Sequence, residues 1–222
     1  MGCSGSSAVK DKDCINEKIV LGYWAVHLQG QPARYVLELA GIPYEDRLYT
    51  MQNRADWFEK DKQTLGFDYP NLPYIIHGDF KITESQNVVN YVIEVTNQQK
   101  LLGEGKDKYR VGHVRYVCQE ILGKLFGAIM KENAEEKQNA IQNDVLPKAR
   151  LVQTYLGSQN KFCSELTIAD IYAYVFFFNL KKKAPEAYAE FAAQIDPLLQ
   201  NFESIPNIKK YQESERFAKI NN

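Results

Sequence analysis

The stretch LTIADIYAYVFFFNL (166–180) narrows the fold more than any other part of the chain. Its apolar residues cover nearly every face of a helix, so the helix is stable only when other elements enclose it. Thr167 and Asp170 stand before the apolar run as a T-x-x-D pair, the spacing of a capping box. The region is therefore an all-helical layer with this segment through its core. The preceding residues agree. YRVGHVRYVCQEILGKLFGAIMKEN (109–133) repeats apolar residues at 114, 117/118, 121/122, 125/126 and 129/130, an amphipathic stripe. Residues 135–156 continue in the same way, and Pro147 is predicted to bend or break that helix.

The first part of the chain has another rhythm. IVLGYWAV (19–26) is a short apolar run compatible with a buried strand, and QPARYVLELAG (31–41) is helical, with Pro32 near its start and Gly41 as its stop. PYEDRLY (43–49) reads as a second strand, followed by a charged segment of weak helical character. LPYII and FKIT flank HGD as a hairpin, and Val88, Val89, Val92 and Ile93 return to helical spacing. Strand–helix–strand, irregular helix, strand–strand–helix describes a small α/β layer with a parallel half and a hairpin half. Residues 1–17 read as a disordered tail, 18–96 as the α/β domain, 97–108 as a linker and 109–222 as the all-helical domain.

Composition excludes several functions. The formal charge of −1 gives no bulk attraction to nucleic acid. No apolar run approaches the ~18 residues of a membrane span, and the N-terminus lacks the apolar core of a secretory signal. The four cysteines (Cys3, Cys14, Cys118 and Cys163) form no CxxC and, with three histidines, no zinc set. A cytoplasmic location follows as the expectation, with no metal and no cofactor.

LGYW (21–24), YTM (49–51), LGFDYPNLPYII (65–76), KITES (81–85) and TIADI (167–171) occur in one order and spacing that resembles the cytosolic glutathione S-transferases. The likeness is to their tyrosine-type classes and most nearly to mu, with a sigma-like alternative, and it covers roughly residues 18 to 220. It implies an α/β thioredoxin-like N-terminal domain plus an all-α C-terminal domain. It also implies a homodimer that conjugates reduced glutathione, a substrate rather than a cofactor, to small hydrophobic electrophiles. A glutathione-dependent isomerase or peroxidase of prostaglandin-synthase type, or a non-catalytic binding protein, are the alternatives on the same scaffold.

The resemblance assigns roles residue by residue. Tyr23, otherwise a core aromatic, falls on the catalytic tyrosine, whose phenol donates a hydrogen bond that favours thiolate over thiol. Leu72 before Pro73, read as a cis-proline, pairs through its backbone with the cysteinyl part of glutathione. Glu84 and Ser85 open a helix whose N-terminus suits the γ-glutamyl carboxylate, and Ser85 by itself serves as a helix cap. Glu84 replaces the glutamine of mu enzymes. Trp24, Arg54, Trp57, Lys62 and Asn71 match other glutathione-contacting positions. Tyr69 matches an aromatic that locks into the partner subunit. Glu120 matches an aspartate reaching glutathione across that interface, but glutamate is one methylene longer, and an exposed acidic helix residue is the preferred reading. Val26 and Met130 belong either to the second-substrate pocket or to the core.

Outside the likeness, Met1-Gly2-x-x-x-Ser6 fits N-myristoylation, and Cys3 beside Gly2 supplies the second, palmitoyl signal that stable anchoring requires. The tail is then an address that tethers the enzyme peripherally to the cytoplasmic face of a membrane.

Overall fold

The computed structural model describes residues 17–220, so the acylation motif at Gly2 and Cys3 lies outside the described residues. The chain enters through β1 (Ile19–Trp24), turns into α1 (Gln31–Ala40) and returns as β2 (Tyr44–Tyr49), parallel to β1. Pro32 sits in the first turn of α1, where its missing N–H leaves no bond unmade. Gly41 ends the helix in a left-handed conformation (φ 67°) that a side chain would strain.

A widened helical turn, Asp56–Asp61, runs into the single turn α2 (Lys62–Thr64). β3 (Tyr74–His77) and β4 (Phe80–Thr83) then form an antiparallel hairpin, followed by α3 (Ser85–Val95). β3 also pairs antiparallel with β1, giving the order β2-β1-β3-β4.

After a short 3-10 turn (Gln99–Leu102), the described residues contain only helices. α4 (Asp107–Ile129) is followed by α5 (Ala134–Ala140), α6 (Leu146–Leu156), α7 (Ile168–Lys183), α8 (Pro185–Tyr188), α9 (Ala192–Glu203), α10 (Pro206–Gln212) and α11 (Glu215–Ile220). Pro147 does not break the helical path between α5 and α6. Residues Ile141–Val145 open into a wider turn, and the proline occupies the first turn of α6, where no N–H is needed.

α7 is buried on every face from Ile168 to Phe177, packed by α4, α9 and α1. Asp170 holds its start: the Oδ2 atom accepts from the Thr167 N–H (2.8 Å) and hydroxyl (2.9 Å), and Oδ1 accepts from the Phe162 N–H (2.9 Å). One carboxylate thus joins the helix to the loop before it. No helix among the described residues is long and apolar enough to cross a membrane.

Candidate active site

Strand register gathers one set of residues at one end of the sheet. Gly22 of β1 faces Tyr74 of β3, and Tyr74 faces Thr83 of β4. The next residues outward, Tyr23, Pro73 and Glu84, therefore lie level with one another, and Trp24 pairs with Tyr49 of β2. The α/β packing order brings together side chains that are more than sixty positions apart in the chain.

Tyr23 is buried, with 5% of its surface exposed. Its hydroxyl accepts from the Gln29 N–H at 3.2 Å, which leaves its own O–H available to donate. Burial pushes the phenol up to about 12, partly offset by the Gln29 N–H and by the nearby Arg34 guanidinium. The group is therefore a proton-bearing donor throughout the neutral range. The ring packs on Gly30, where a Cβ would come within 2.5 Å of it.

Arg34 fixes the end of β1 and the loop that follows this tyrosine. It is fully buried and grips the Asp46 carboxylate through Nε at 2.9 and 3.1 Å. Its remaining nitrogens donate to the carbonyls of Trp24 (3.3 Å) and Val26 (3.4 Å). Below it, the His27 Nε2 bonds the Tyr35 hydroxyl at 2.8 Å, and Asn179 of α7 donates to the His27 carbonyl at 2.6 Å.

The Leu72–Pro73 peptide is cis. The Leu72 N–H is engaged by the Asn71 side-chain oxygen (2.9 Å), while the Asn71 amide donates to the Glu84 carboxylate (3.0 Å). Glu84 has a left-handed φ of 69°, an uncommon conformation for a residue with a side chain, and occupies the N-cap position of α3. Here the expectation for Ser85 needs correction. Ser85 is the first helical residue rather than the cap, and its hydroxyl accepts from the Gln119 amide of α4 at 3.1 Å. No side chain caps α3, so its first N–H groups remain open to an anion.

The charged segment contributes in two ways. Trp57 is 3% exposed and stacks on Tyr74 with ring centres 5.9 Å apart. It is a buried anchor, while Arg54 and Lys62 are exposed and have no carboxylate partner among the described residues. Beneath them runs a polar network that the sequence did not announce. Tyr49 donates to Asp61 at 2.6 Å and therefore accepts from Tyr74 (2.9 Å), which in turn accepts from Arg47 (3.5 Å). This network ties the widened turn to the sheet. Trp24 rests on the same cluster, edge-on to Tyr49 and tilted against Phe58.

Tyr69 is 79% exposed on its loop, held through its carbonyl by the Thr83 hydroxyl. Glu120 is exposed on α4 and pairs with Lys124 (3.0 Å) and Lys148 of its own chain. Its neighbour Gln119, which sequence reasoning passed over, reaches α3, as does Arg115, which donates to the Asn90 side chain (2.7 Å) and the Gln86 carbonyl (3.2 Å). Val26 and Met130 border one cavity of about 190 Å³ between the β1–α1 loop and the ends of α4, α7 and α11.

Comparisons with known proteins follow the same division of the chain. Residues 20–94 match the family model described as glutathione S-transferase, N-terminal domain, and 119–215 match glutathione S-transferase, C-terminal domain. The chain is 29% identical over 207 residues to glutathione S-transferase 2 of Gallus gallus, covering 90% of this chain and 92% of that one. It is 27% identical over 201 residues to the glutathione S-transferase class-mu 26 kDa isozyme 51 of Fasciola hepatica, covering 90% of each. Its fold is similar to that of rat hPGDS complexed with a quinoline, with a TM-score of 0.73 at 20% identity over 87% of this chain and 95% of the other. With both halves of its length matched in order, on a mixed four-stranded sheet followed by helices, the chain belongs to the glutathione S-transferase family.

Proposed function

We propose that this protein is a glutathione transferase that joins the sulfur of reduced glutathione to small hydrophobic electrophiles. The observation that carries the reading is Tyr23: a protonated phenol whose oxygen accepts from the Gln29 N–H, so that its own proton is available to donate to a ligand. A hydrogen bond from this group stabilises a thiolate more than a thiol, and the thiol proton leaves to water. The thiolate then attacks the electrophile, with no covalent intermediate on the protein.

The binding roles follow from charge and from open backbone groups. The uncapped N-terminus of α3 receives the γ-glutamyl carboxylate, and Glu84 pairs with the ammonium beside it. Arg54 and Lys62 face the glycyl carboxylate, with Trp57 fixing their segment from below. Leu72 offers its backbone to the cysteinyl unit once Asn71 releases the N–H, and Asn71 stays in the loop as its hinge pin. Val26 and Met130 line the second-substrate cavity. A second copy of the chain completes the assembly, with exposed Tyr69 seated in the groove that α3 and α4 form around Ile93, Val111 and Tyr116. Acylation of Gly2 and Cys3 rests on the motif alone, and the intact mass of native protein tests it.

The deciding experiment is Tyr23→Phe, assayed against a panel of halogenated nitroarenes, enones, hydroperoxides and prostaglandin-type endoperoxides. Conjugation should fall by about 100-fold, the scale of removing one preorganised donor, while retention on immobilised glutathione persists. A Phe variant equal to wild type against every electrophile defeats the assignment. Turnover of endoperoxides alone establishes the isomerase instead. Tyr69→Ser should shift sedimentation from dimer to monomer.

A further inference from the structure

Lys62 owes its place to the register of the turn before it. In an ordinary helix the N–H that returns to the Trp57 carbonyl belongs to the residue four positions on, Asp61. Here it belongs to Lys62, five positions on, because the turn Asp56–Asp61 is widened by one residue. The widening draws Lys62 back toward the face of Trp57. Its ammonium lies 6.0 Å from the centre of the Phe58 ring, which leans on Trp24. An unwidened turn would carry Lys62 round the helix, away from Trp57 and from the end of the sheet where Tyr23 lies.

Asp61 holds the wide register. Its side chain is only 15% exposed, it accepts from the Tyr49 hydroxyl at 2.6 Å, and the Arg47 guanidinium stands 3.8 Å away. A hydroxyl bond to a carboxylate at this length is among the stronger kinds, and a slip of one residue would leave it unmade. The Tyr49 hydroxyl also accepts from Tyr74 at 2.9 Å. Tyr74 stacks on Trp57 and packs directly over Gly22, where a Cβ would come within 2.1 Å of its ring. Gly22 adjoins Tyr23 in β1. One unbroken series of contacts therefore runs from the turn that presents Lys62 to the strand that carries Tyr23.

We propose that Asp61 and Tyr49 are positioning residues for glutathione: their bond fixes the widened turn, so that Lys62 meets the glycyl carboxylate at a set distance from Tyr23. This rests on the transferase reading above. Both side chains act through Lys62 rather than on the ligand. The γ-glutamyl and cysteinyl units have separate holders, the N-terminus of α3 and the Leu72 backbone, so loosening the turn weakens the glycyl end alone. KM for glutathione depends on this fastening, and kcat does not.

The test compares glutathione with its glycyl monoethyl ester, which lacks that carboxylate, in the full-length wild type, Tyr49→Phe and Asp61→Asn. In the wild type the ester should have a KM about tenfold above glutathione, the effect of one lost charge-assisted contact. In either variant KM for glutathione should rise about fivefold while KM for the ester and both kcat values hold, so the ratio falls to about two. Lys62→Met should raise KM for glutathione in the wild type and add little in Asp61→Asn, because the two act as one unit. A thermal melt reports folding, and the near-isosteric Tyr49→Phe carries the test if Asp61→Asn does not fold. Equal rises for both thiols mark a general structural role and overturn the proposal, as does an unchanged KM in Tyr49→Phe or a kcat that falls at constant KM. Equal KM values for the two thiols in the wild type also overturn it and leave the transferase reading intact. If wild type conjugates neither thiol to any electrophile of the panel, both readings fall together.

Discussion

Lowering the pH from 7 to 5.5 should destabilise this protein through His27, and the size of the effect follows from its surroundings. The imidazole is buried, and burial together with the Arg34 and Lys182 charges lowers its pKa from 6.5 to about 3. In the unfolded chain the same group takes up a proton near pH 6.5. Between those two values the unfolded state binds the extra proton, so stability is fully present above about 6.5 and is lost as the pH falls. Across 7 to 5.5 this amounts to about 1.2 kcal/mol from His27 alone. The window lies above the usual carboxylate range, which separates His27 from Glu45, Glu120 and Asp196, all held low by lysine or tyrosine partners and lysine charges. Urea melts at several pH values measure the slope, and His27→Gln should flatten it whatever its own stability. An imidazole NMR signal from His27 that titrates in the native protein between pH 5.5 and 7, or an equal slope in the Gln variant, would refute the reasoning.

Three further outcomes follow from packing. Asp170→Ala should cost about 3 kcal/mol, because it strips partners from the Thr167 and Phe162 N–H groups at once; a calorimetric melt within a degree of wild type counts against it. Gly22→Ala places a methyl 2.1 Å from the Tyr74 ring and should cost about 1–3 kcal/mol, read as an earlier urea midpoint; an unchanged midpoint contradicts that close approach. Asn71→Ala frees the Leu72 N–H but loosens the loop and Glu84, so KM for glutathione should rise about fivefold, the equivalent of about 1 kcal/mol of lost positioning, with kcat little changed. An unchanged or lower KM shows that Asn71 obstructs rather than holds.

What could be read from the sequence was what depends on period and on special backbone. The all-round apolar run of α7 and the strand–helix alternation before it give the layers directly, and Gly41 and Pro32 mark the ends of α1 because each has one dominant steric role. Residue type alone misled at Ser85. A serine at a helix start usually caps it, but Glu84 adopts the left-handed conformation and takes the cap position, which turns the Ser85 hydroxyl toward Gln119. Of the two outcomes open at Pro147, the break does not occur: a proline breaks a helix only if its N–H is needed, and the widened turn before it removes that need. The Tyr49–Tyr74–Asp61 network had no signature, since a tyrosine in a strand looks the same with or without a bonded hydroxyl. Gln119 was invisible because an uncharged amide in a helix fits any exposed face.

The loop that follows Tyr23 is tied down from the other domain. Asn179 of α7 holds the His27 carbonyl, and Tyr211 of α10 receives the Gln31 amide at 3.4 Å. The two halves are therefore not interchangeable cassettes. In a chimera that grafts residues 18–96 onto a foreign helical half, the donor sheet would keep its own register, but the loop would lose its outside fastenings. Shuffling between relatives should succeed only when the crossover lies elsewhere, or when the asparagine and tyrosine travel with the loop they restrain.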